Sequence, residues 1–87
     1  MYIILVYDVG EKRVGKVCKT LRKHLTWVQN SVFEGEVSEA DLRKIQLEVE
    51  QVVELDEDSL MFYCIRNPKG WRKVVMGQEK LSTDTFI

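Results

Sequence analysis

The chain has 87 residues, 45% hydrophobic and 31% charged, with a net charge of −1. That length holds one domain with a small core, and the mixture excludes a disordered chain. The apolar run Tyr2 to Tyr7, with Met1 before it, is far short of a membrane span, and no leader pattern follows Met1, so a cytoplasmic protein with no membrane partner is expected.

Tyr2–Asp8 is predicted to be a strand: it is short, rich in Ile, Val and Tyr, and bounded by Val9-Gly10. A strand apolar at successive positions is buried on both faces, yet this one ends on the carboxylate of Asp8. Lys12 to about His24 is predicted to be a helix, with Val14, Val17, Cys18, Leu21 and Leu25 on one stripe. Thr26–Val37 reads as two short strands turning at Asn30-Ser31. A second helix starts at Ser38, where "SEAD" places Asp41 as an acidic variant of a capping box, and runs to about Val53. "ELDEDS" is an acidic loop, and Leu60–Arg66 is another strand apolar on both faces. "NPKG" is a turn. Trp71–Met76 reads as a short strand or a helical turn, and Thr83–Ile87 as a last edge strand.

The order β-α-β-β-α-β, plus an extra C-terminal edge strand, is the α+β ferredoxin-like arrangement: an antiparallel sheet with both helices on one face. A single domain over 1–87 is expected, with a core over about 1–66 and a C-terminal extension over about 67–87. Two helices cover one sheet face only. The doubly apolar first and fourth strands therefore predict a homodimer whose sheets face each other, because a bare face of that size is sticky.

Charge is unevenly placed. Residues 11–23 hold six basic side chains (Lys12, Arg13, Lys16, Lys19, Arg22, Lys23) against Glu11. Residues 34–58 hold ten acids against Arg43 and Lys44. The first block suits phosphate contacts without base readout, centred on Arg13, Lys16 and Lys19. Asp8 reads either as a turn residue or as a metal ligand, since Mg²⁺ needs only one or two carboxylates and a two-fold axis would supply the second. Cys18 and Cys64 are expected to be thiols rather than a disulfide. The lone His24, near a helix C-terminus, suits the dipole there and offers no zinc set.

"YIILVYDV", a basic helix, and then "WVQNSVFEGEVSEADL" together resemble the CRISPR-associated protein two family over nearly the whole chain. The resemblance implies a ferredoxin-like homodimer that partners the CRISPR integrase (CRISPR-associated protein one) during spacer acquisition. It also implies a metal-dependent endonuclease acting on RNA or duplex DNA. It places the family's metal-binding, catalytic aspartate on Asp8, using Mg²⁺ or Mn²⁺, with Tyr7 beside it. The family's basic helix positions fall on Arg13 and Lys16, and its strand aromatic on Phe33. A basic residue often precedes the "VQ" of the motif, whereas Trp27 stands there in this chain, which leaves open any role that charge plays. The competing readings are a non-catalytic architectural dimer, a toxin-like ribonuclease and a small-ligand regulatory domain.

Overall fold

The computed structural model describes residues 1–66 and 70–79. The chain runs β1 (Tyr2–Asp8), α1 (Glu11–Leu21), β2 (Thr26–Gln29), β3 (Val32–Glu36), α2 (Glu39–Glu50), β4 (Ser59–Arg66) and β5 (Gly70–Gly77). The five strands form one sheet in the order β2-β3-β1-β4-β5, antiparallel at every pairing. This is the expected ferredoxin-like arrangement with an added edge strand. Residues 71–76 lie in β5, which pairs with β4 along its length. Met76 joins the core. The edge strand expected over Thr83–Ile87, and Asn67, Pro68 and Lys69 of the "NPKG" turn, lie outside the described residues.

Side chains alternate across a strand, and residues opposite one another share a face. Ile3, Leu5 and Tyr7 of β1 therefore lie on one side with their partners Phe33, Leu60, Phe62 and Cys64. These pack against Val17 and Leu21 of α1 and Leu42, Ile45 and Val49 of α2 in one buried cluster. Each such side chain contributes roughly 1.5–3 kcal/mol when fully buried. The other side carries Tyr2, Ile4 and Val6, with Met61, Tyr63 and Ile65 across on β4. Among the described residues no helix packs there: Met61 is buried between neighbouring strands but stands outside the core cluster, and Ile65 is exposed. Trp71 is 67% exposed on the same side, its ring 6.3 Å from that of Tyr63.

The helix ends differ from the periodic pattern by about a turn. After Leu21 the chain tightens, with Lys23 N–H donating to the Thr20 carbonyl and His24 N–H to that of Leu21. Gln51 and Val52 close the end of α2 in the same i to i−3 fashion. At the start of α2 the expected box is present: Asp41 N–H donates to Ser38 Oγ at 3.0 Å, and Ser38 N–H to Asp41 Oδ2 at 3.1 Å. His24 Nε2 meets Glu48 at 3.1 Å, joining the end of α1 to α2, the structural role expected of it. Both cysteines are free thiols. The pairing of β2 with β3 shifts register between Trp27 and Gln29, a bulge that bends this exposed edge strand.

Candidate active site

Asp8 is the last residue of β1, on the bare face of the sheet, with its side chain exposed. Its partner in register is Ser59, the first residue of β4. Ser59 is fully buried, and its Oγ has no hydrogen-bond partner among the described residues.

Tyr7 and Phe33, named beside Asp8 from the sequence, belong to the opposite face. Both are in the core, with ring centroids 5.9 Å apart. Tyr7 Oη donates to the Asn30 carbonyl at 3.3 Å and lies 3.1 Å from Cys18 Sγ. A phenol has one proton, so the thiol is the donor in the second contact. Burial pushes the Tyr7 phenol up to about 12, so it stays protonated near neutrality. The Asn30 carbonyl also accepts Trp27 Nε1–H at 3.1 Å, and Asn30 has φ of 43°. Two aromatic side chains thus pin the β2–β3 turn beside the end of β1, where Tyr7 N–H donates to the Ser31 carbonyl at 3.1 Å.

The basic block divides. Lys12, Lys16, Lys19, Arg22 and Lys23 are exposed. Arg13 differs from these in being engaged within the fold. Its Nε donates to Asp58 Oδ2 at 2.7 Å and its Nη2 to Oδ1 at 2.8 Å, with Glu57 at 3.7 Å. Asp58, 1% exposed, also accepts Gly10 N–H on Oδ1 at 2.9 Å and Glu54 N–H on Oδ2 at 2.9 Å. Gly10 is the N-cap of α1 and has no side chain to cap with, so Asp58, 48 positions away in sequence, accepts one of the helix's orphan N–H groups. The Arg13 guanidinium holds the Asp58 carboxyl well below the usual carboxylate range, reinforced by the two backbone donors. The same bond raises Arg13.

Sequence reasoning missed Asp58, one of four acids in "ELDEDS". The available signal was a helix start with no capping side chain of its own. Close approach of backbone marks the same corner. Gly77, at φ of 79°, leaves no room for a Cβ against the Asp58 carbonyl, which in turn accepts Gln78 N–H at 2.8 Å.

Among the described residues no three His, Cys, Asp or Glu side chains gather as a metal site. Asp8 alone offers one hard oxygen donor, which fits Mg²⁺ or Mn²⁺ as a share of a site and not as a whole one. No helix among them is long and apolar enough to cross a membrane.

Comparison with known proteins places this geometry. A protein from Thermococcus kodakarensis named CRISPR-associated endoribonuclease Cas2 is 52% identical over 88 aligned positions, covering all of both chains. One from Thermodesulfovibrio yellowstonii, named CRISPR-associated endoribonuclease Cas2 3, is 48% identical over 86, covering 99% of this chain and 98% of that one. The crystal structure of Streptococcus pyogenes Cas2 superposes with a TM-score of 0.69 at 31% identity, covering 78% of this chain and 89% of that one. The family model described as CRISPR associated protein Cas2 matches residues 1–73, so the chain belongs to the Cas2 family.

Proposed function

We propose that the chain works in the cytoplasm as a homodimeric, metal-dependent endonuclease of a CRISPR system, cutting RNA or DNA, and as the nucleic-acid-binding partner of the CRISPR integrase. One observation carries this reading: Asp8 is an exposed carboxylate at the rim of an apolar sheet face that no helix among the described residues covers. The names of the relatives support the nuclease part, with RNA as the first substrate to try. A second copy seated on that face removes Tyr2, Ile4, Ile65 and Trp71 from water and brings a second Asp8 into reach.

In that dimer the two Asp8 carboxylates would hold Mg²⁺ or Mn²⁺, and a bound ion supplies positive charge to a phosphate and acidifies water. Lys16 and Lys19 hold the nucleic-acid backbone through phosphate contacts, which fix position without reading bases. The pinned 30–31 turn and the Asp58 corner hold the end of β1 on either side, so the carboxylate is presented without rearrangement.

The test is Asp8→Asn, which keeps shape and removes charge. Metal-dependent cleavage of end-labelled RNA and duplex DNA should vanish. Sedimentation should still give about twice 10.2 kDa. A variant that cuts at the wild-type rate refutes the role of Asp8. The architectural reading, a dimer that binds nucleic acid without cutting, is favoured by the single carboxylate per chain. It requires that Asp8→Asn support integrase-dependent spacer insertion as well as wild type.

A further inference from the structure

We infer that Arg13 and Asp58 form a clamp that positions Asp8 for catalysis, and that Arg13 is not a nucleic-acid contact. The inference rests on the nuclease reading of Asp8. Four hydrogen bonds converge on one buried carboxylate. They come from three stretches of chain: the Gly10 amide two residues after Asp8, the first turn of α1 through Arg13, and the 54–58 loop through the Glu54 amide. Ser59, next to Asp58, is the register partner of Asp8. Asp8 is therefore bracketed, across the sheet by the strand that follows directly on Asp58 and along the chain by the amide that Asp58 holds.

The chemistry of the pair suits positioning rather than phosphate binding. The guanidinium approaches both carboxylate oxygens in a fork that fixes its plane as well as its distance. Lysine carries the same charge but cannot reproduce two parallel bonds. Gly10 closes the corner: a Cβ there would strike the Arg13 guanidinium. Misplacing a reacting group by about 1 Å costs on the order of 100-fold in rate. Loosening this corner should therefore act on turnover and not on affinity.

The experiment compares Arg13→Lys, Asp58→Asn and their double variant with wild type and with Lys16→Gln. It uses the full-length protein and single-stranded RNA with Mg²⁺. Arg13→Lys and Asp58→Asn should each lower kcat by about 10- to 100-fold with KM within about twofold. The double variant should lose no more than the worse single one, because either change opens the same clamp. RNA affinity should keep its wild-type salt dependence in both, whereas Lys16→Gln should flatten the log–log slope by about 0.7. Amide hydrogen exchange at Gly10 should speed up in both clamp variants relative to Leu5 in the core, and this readout needs no cleavage. Wild-type kcat in Arg13→Lys overturns the clamp, as does a KM effect with a flattened salt slope. If the wild type does not cut, the nuclease reading has failed separately. Unchanged Gly10 exchange then overturns the clamp itself. If Asp58→Asn does not fold, Arg13→Lys alone decides.

Discussion

Asp8 and Asp58 stand one register step apart at the same end of the sheet, and they meet opposite environments. Asp8 projects from the bare face into solvent. Asp58 is buried and its carboxylate receives four hydrogen bonds. A buried carboxylate is tolerated only when its charge and lone pairs are matched, and a matched carboxylate has nothing left for a substrate. An exposed one keeps its full capacity and contributes little to folding. The pair shows two states of one side chain: one aspartate is fully matched inside the fold and its neighbour is left facing solvent.

The comparison breaks most sharply under exchange of oxygen for nitrogen. Asp8→Asn should cost more than 100-fold in metal-dependent cleavage, measured on labelled RNA, and change stability by less than about 0.5 kcal/mol. Asp58→Asn should do the reverse for folding. Breaking one side of a buried pair costs about 3 kcal/mol, which for a domain of this size lowers Tm by roughly 12–20 °C in calorimetry.

Acid sharpens the contrast. The Asp58 carboxyl is depressed in the folded state. Its contribution is therefore complete above the unfolded value of about 4 and is lost as pH falls through the lower folded value. The Tm gap between wild type and Asp58→Asn should stay constant from pH 5 to 8 and narrow below about pH 4. Replacing Lys16 and Lys19 by Gln should weaken binding to unrelated sequences alike and reduce the salt slope by about 0.7 each on single strands, without touching stability. The smallest effect belongs to Ser59→Ala. An unpartnered buried hydroxyl gives the fold little, so chemical denaturation should show a change within about 0.5 kcal/mol or a slight gain.

The strands were legible because Tyr2–Tyr7 and Leu60–Ile65 are unbroken apolar runs, and the start of α2 because Ser38 and Asp41 announce their own cap. Asp8 was legible as the lone charge ending such a run. Local pattern could not reveal partners distant in sequence. Arg13 looked like five other cations in its block until Asp58, 45 residues on, claimed it. Asp58 itself was hidden among Glu54, Asp56 and Glu57. The helix ends were overrun because the apolar stripe continues through Leu25 and Val53 while the backbone has already tightened into turns. Tyr7 and Phe33 came from resemblance, which carried their positions but not the face of the sheet on which they lie.

Among the described residues β2 and β5 form the two borders of the sheet, and they resist unwanted neighbours in different ways. The bulge between Trp27 and Gln29 kinks β2, so a stray strand finds no straight ladder to extend. On β5 the exposed side chains Arg72 and Lys73 carry ion pairs, with Glu39 at 2.8 Å and with Glu79 at 2.6 Å, so a strand docking there meets charge that must be desolvated. Crowded chains are thus discouraged from growing into fibres edge to edge. Contact through a sheet face is of another kind: it is self-limiting, because once a face is covered it is used up.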